Sequence, residues 1–159
     1  MKKIFKFFNK LKSFSKLNRI ILASLIIIFS ILSYLSIPAL YKYDRLQKEL
    51  SEKIKKDFNI NLALSNEIKY HILPSPNFTI TDSLLNLDTD NQDKFGELKK
   101  IKVFISLKNL FNQEKLQIKQ LKLFESNFTI NNKNYLELNK YLRKKINKNI
   151  TIINSKVFF

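Results

Sequence analysis

The hydrophobic positions of this chain change their period along its length, and each change marks an element. The first run, Ile20 to Leu40, is 21 residues without a charge. At about 1.5 Å rise per residue a helix of that length spans roughly 30 Å, the hydrocarbon thickness of a bilayer. From Tyr41 to Phe58 the chain is strongly charged, yet Leu46, Leu50, Ile54 and Phe58 recur every fourth residue and draw a narrow apolar stripe along a helix. The stripe predicts packing against a following sheet, because the segment holds too few heptads for a coiled coil.

After Phe58 the period falls to two. Ile60, Leu62 and Leu64 alternate with polar or small neighbours, then Ile68, Tyr70 and Ile72 alternate with Lys69 and His71, which predicts half-buried strands. Pro74 and Pro76 end that pattern in the turn Leu73-Pro74-Ser75-Pro76, since proline cannot donate to a ladder. A new strand begins at Asn77 with Phe78 and Ile80, continues through Leu85 and Leu87, and ends in a polar surface loop from Asp88 to Asp93. Strands resume after Gly96 with Ile101, Val103, Ile105 and Leu107. A link over residues 109–113 leads to Leu116, Ile118 and a strand from Leu121 to Phe124, and Phe128 and Ile130 give one more. Leu138, Leu142 and Ile146 predict a second amphipathic helix within residues 135–147, and residues 150–159 return to strand. Asn77-Phe78-Thr79-Ile80 recurs as Asn127-Phe128-Thr129-Ile130, which suggests a repeated strand unit. The expected fold class is α+β: one N-terminal transmembrane helix, then an amphipathic helix on a mainly antiparallel curved sheet with a second helix, the start of a β-groove.

Charge sets the topology. Residues 1–19 carry Lys2, Lys3, Lys6, Lys10, Lys12, Lys16 and Arg19 and no acid, so the amino terminus is expected to stay cytoplasmic. Residues 20–40 then form a signal anchor, and residues 41–159 a domain outside the cytoplasm. A cleaved signal peptide competes, but its apolar region is usually about 7 to 15 residues and ends in a small-residue cleavage site, for which Ser36-Ile37-Pro38-Ala39 is poor. A buried core helix competes too, against a run that is apolar all round.

The formal net charge is +16, and seven of the 29 basic residues belong to the leader. Beyond the anchor 22 basic residues face 13 acidic ones, spread along the chain, which disfavours nucleic acid and allows attraction to anionic headgroups or acidic lipopolysaccharide. Cysteine is absent, which excludes disulfides, iron–sulfur clusters and thiolate zinc sites within this chain.

Little catalytic chemistry is offered. His71 is the one histidine, on the expected polar face of a strand, and Asp82, Asp88, Asp90 and Asp93 lack the glycine-containing spacing of a calcium loop. A single glycine rules out a glycine-rich phosphate loop, so no enzymatic activity, cofactor or metal is expected. Val157-Phe158-Phe159 would leave an apolar strand edge open to pairing, and the whole pattern reads as the first section of a longer sheet.

The order of elements carries a resemblance: a basic leader and anchor, a charged helix, a strand, Leu73-Pro74-Ser75-Pro76-Asn77-Phe78-Thr79-Ile80, then a link at Leu110-Phe111 running into Leu116-x-Ile118-x-x-Leu121-x-Leu123. Over residues 20–131 this resembles the amino-terminal region of the AsmA family. The chain lacks the proline that members often place before the strand starting at Asn127, and their turn glycines. The resemblance implies a bacterial inner-membrane protein with a periplasmic β-groove, linked to outer-membrane biogenesis and phospholipid carriage. Ile60, Leu62, Leu64, Phe78, Ile80, Val103 and Ile105 are then the residues expected to contact lipid, with the bilayer and a phospholipid as partners. The alternative is a bitopic scaffold, of the lipopolysaccharide-export or division type, that binds envelope proteins through its sheet edge.

Overall fold

The computed structural model describes residues 16–65, 67–86, 94–132, 135, 136, 138, 139 and 149–159. The leader up to Ser15, the Asp88 to Asp93 loop, and Leu142 and Ile146 of the expected second helix lie outside the described residues. Of that helix, residues 135, 136, 138 and 139 are helical, and so is residue 132 before it. The chain forms two compact units, residues 1–36 and 37–159.

Helix α1, Lys16–Ser36, makes up the described part of the first unit. Within the apolar stretch Asn18–Leu40 the most apolar 18-residue window has a mean hydropathy of 2.6, and none of that window is buried. Side chains on different sides of α1 are open, Ile20 at 66% and Phe29 at 73% exposure, so this is not the core helix of a soluble fold. Its serines hide their own polarity: Ser24, Ser30 and Ser36 donate to the carbonyls of Ile21, Ile26 and Leu32, each at 2.8 Å. In hydrocarbon, where water cannot take a proton donor, that internal bond is what makes a serine tolerable.

The second unit begins with a 3-10 turn, Ile37–Leu40, and helix α2, Tyr43–Phe58. Asp44 in its first turn and Lys55 and Lys56 in its last match the helix dipole. Asn59 closes it in the left-handed conformation (φ 56°), its N–H returning to the carbonyl of Lys55. The stripe Leu46, Leu50, Ile54 and Phe58 is fully buried.

Seven strands follow: β1 (Asn61–Ala63), β2 (Ile68–His71), β3 (Asn77–Asn86), β4 (Lys94–Ile105), β5 (Ile118–Thr129), β6 (Asn149–Ile153) and β7 (Lys156–Phe158). They form one sheet in the order β1-β3-β4-β5-β6, with β2 also on β3 and β7 also on β5. The pairs among β1 to β5 are antiparallel, whereas β6 and β7 run parallel to β5. Three elements differ from the sequence expectation. Strand β4 starts before Gly96, β5 is a single strand where two were expected, and the final strand is split at Asn154 and Ser155. The repeated tetrapeptides are not a repeated unit, since one opens β3 and the other closes β5 with Ile130 just beyond.

One irregularity explains most of these differences. Asp82 on β3, Glu125 on β5 and Asn154 between β6 and β7 all have φ near +50°, and the registers on either side align them with Lys99 of β4 in one line across the sheet. At this crease the side-chain alternation slips by one. The buried positions go from Ile80 to Ser83, from Leu98 to Ile101 and from Leu123 to Ser126, three residues apart instead of two. All three strands slip together, so one face stays apolar on both sides of the line. Serines bridge the gaps: the N–H of Ser126 donates to Ser155 Oγ at 3.1 Å, and Ser65 Oγ donates to the carbonyl of Thr81.

Helix α2 lies on that apolar face and reaches over its β1 edge. Ser51 Oγ donates to the carbonyl of Leu62 (3.0 Å) and Gln47 Nε2 to that of Leu64 (2.6 Å), occupying backbone acceptors that an edge strand would otherwise present. Lys53 Nζ donates at 2.6 Å to the carbonyl of Glu114, inside a second 3-10 turn, Gln113–Lys115, and the exposed Arg45 pairs with the Glu114 carboxylate, a contact worth little by itself. Leu50→Ala, which empties the middle of the stripe at a fully buried position, is expected to destabilise the second unit by about 2–5 kcal/mol, read from urea unfolding of the full chain in detergent.

Candidate functional site

The apolar face of the sheet is made of rows, each crossing the strands through directly opposed residues. One row runs Ile68, Ile80, Ile101, Leu123, Ile152. A second runs Tyr70, Phe78, Val103, Leu121, Ile150. Beyond the crease a third runs Leu62, Leu85, Gly96, Phe128, Val157.

The rows are closed at one end and open at the other. From Ile68 to Leu123 the first stays at 3% exposure or less, and then Ile152 is 55% exposed. In the third, Phe128 is 6% exposed and its neighbour Val157 is 50%. Among the described residues the apolar face therefore comes out into the open at β6 and β7, where Phe158 and Phe159 are exposed as well.

All seven residues expected to contact lipid lie in the closed part. Ile60, Leu62, Leu64, Phe78, Ile80, Val103 and Ile105 are buried, the most accessible being Leu64 at 8%. The sheet sets Phe78 directly opposite Val103, and Ile80 in the neighbouring row. Leu62 lies across the crease, and Ile60 and Leu64 flank β1. Their packing partners include the α2 stripe, so the period of two that singled them out reports a covered core. Ile152 and Val157 share the same face and the same period; what sets them apart is how far the cover reaches, and the period alone carries no trace of that.

Among the described residues no group of three or more His, Asp or Glu side chains could hold a metal ion. His71 is exposed on β2 opposite Asn77, and Asp82 is exposed in the crease. Tyr70 packs its ring 5.3 Å from that of Phe78, and burial raises its phenol above the ordinary value of 10.0, which keeps it neutral. A cleft of about 610 Å³ beside the end of α2 has a mixed wall, with Lys53, Lys56, Asp57 and Lys119 as its charged and Leu116 and Ile118 as its apolar members.

Residues 11–149 match the AsmA family. The chain belongs to the AsmA family. No curated protein and no solved structure matches it. Together with the exposed apolar helix, membership makes this AsmA-family chain a single-pass membrane protein and associates it with biogenesis of the cell envelope and outer membrane.

Gly96 has a structural reason in this face. A Cβ there would lie 2.9 Å from Cδ1 of Phe128 and 3.2 Å from the carbonyl of Asn127, because the Phe128 ring lies across the glycine toward Phe95, 5.8 Å away centroid to centroid. Gly96→Ala is therefore expected to destabilise the sheet by about 1–3 kcal/mol, and by less when Phe128→Leu has removed the ring, as a double-mutant unfolding cycle would show.

Proposed function

We propose that this AsmA-family protein is anchored in a bacterial inner membrane with its amino terminus in the cytoplasm, and that its periplasmic sheet shelters acyl chains of phospholipid on the way to the outer membrane. The observation that carries this reading is the emergence of the apolar face at Ile152 and Val157. Each methylene laid on such a surface instead of in water gains about 0.8 kcal/mol. A lipid would need no rearrangement of the core to use it. On this reading α2 and the seven buried residues hold the face in shape, and Ile152 and Val157 are where lipid touches it. The chain makes and breaks no bonds; it offers a surface. The basic leader supports the orientation, because lysine and arginine flanking an apolar span favour the cytoplasmic side.

Photo-crosslinking in cells tests the lipid assignment. Probes at Ile152 and Val157 are expected to give phospholipid adducts, and a probe at Ile80, closed under the cover, to give none. Protein adducts alone at Ile152 and Val157 would replace the lipid reading by the scaffold that pairs through this edge. Orientation is tested separately, since the chain has no cysteine of its own. Asn127→Cys, an exposed position, is expected to react with a membrane-impermeant maleimide in intact spheroplasts; reaction only after lysis would reverse the topology.

A further inference from the structure

The opposite face of the sheet carries a different pattern. Its central row runs Lys69, Thr79, Lys102, Lys122, Thr151, each directly opposed to the next. The flanking rows run His71, Asn77, Phe104, Gln120, Asn149 and Thr81, Lys100, Phe124, Ile153. These rows hold four lysines and no carboxylate. Acids stand around these rows: Glu67 accepts from Thr81 Oγ1 at 3.1 Å, Asp82 sits in the crease, Glu125 there pairs with Lys99 at 3.6 Å, and Glu97 lies on the same face beyond the crease. Helix α2 lies on the other face.

Lys102 and Lys122 are the unusual pair. Opposed residues on neighbouring strands stand about 5 Å apart at Cβ, and like charges there repel. No salt bridge among the described residues reaches either one. Each ammonium instead sits over a diagonal ring, Lys102 Nζ 5.5 Å from the centre of Phe124 and Lys122 Nζ 5.2 Å from that of Phe104. A ring's π face steadies a cation without neutralising it, so the N–H donors stay available.

We propose that this face docks on the phosphate headgroups of an anionic bilayer. A phosphate oxygen accepts charge-assisted hydrogen bonds from ammonium groups and relieves the repulsion between opposed lysines. A layer of such phosphates meets Lys69, Lys100, Lys102 and Lys122 together, because strand register sets them on one face. Single-stranded nucleic acid, the other polyphosphate, calls for rings free to stack on bases, and here both rings are half-buried under lysines. The anchor tethers the domain to a bilayer: the second unit begins at Ile37, directly after the first in the chain, so the tether between them is short.

The test uses the full chain in lipid nanodiscs with Thr151→Cys as its one thiol and an uncharged, water-soluble maleimide as reagent. In discs with about 30 mol% phosphatidylglycerol, labelling is expected to be roughly five-fold slower than in pure phosphatidylcholine. The slowing should vanish in about 0.5 M salt, where screening extends only a few ångströms, and in the double variant Lys102→Gln, Lys122→Gln. The salt arm needs no variant, so misfolding cannot mimic success. Equal rates in the two lipids would overturn the proposal. So would protection in phosphatidylcholine discs by inorganic phosphate or by an oligonucleotide without protection by phosphatidylglycerol, which would assign the face to a free anion or to nucleic acid.

Discussion

Everything in the second unit depends on four side chains of α2 lying on one face of the sheet. Leu46, Leu50, Ile54 and Phe58 need a helix to share a side, and the strands need those four to cover Ile80, Val103 and their neighbours. Neither partner is stable alone in water, since a narrow stripe on a charged helix and a half-apolar sheet both expose what folding must hide. The same helix also occupies the outward carbonyls of Leu62 and Leu64, so the contact that closes the core closes the edge.

The crease is the second constraint, and it shows how a sheet can change direction without changing sides. A single left-handed residue in one strand would turn the strand over and put its leucines in water. Here Asp82, Glu125 and Asn154 slip in step with Lys99, and the buried set carries on across the line. Two of the three are acidic and one is asparagine, and only asparagine and aspartate among non-glycine residues adopt this conformation at modest cost. Glu125 takes it next to Lys99, its ion-pair partner.

Much of this was legible from spacing. The four-residue stripe gave α2 within two residues of its start, the proline turn separated β2 from β3, and the uncharged run gave the exposed helix. The crease was not, because a period that slips by one reads as an interruption. Leu121 to Phe124 and Phe128 with Ile130 looked like two strands, whereas β5 is one strand with its parity reset at Glu125. The seven residues expected to contact lipid lie in the covered part of the apolar face. Alternation cannot tell which stretch of that face a helix lies on, and so could not separate Ile80 from Ile152. The basic face was invisible for a related reason: Lys69, Lys102 and Lys122 are far apart in sequence, and only strand register brings them into one row.

The caps that Gln47 and Ser51 place on β1 make the two margins of the sheet unequal. At one margin the outward carbonyls of Leu62 and Leu64 are already taken, and at the other β6 and β7 lie beside β5 with apolar side chains in the open. The sheet is therefore asymmetric across its strands, with carbonyls at the β1 margin engaged by its own helix and apolar side chains in the open along β6 and β7.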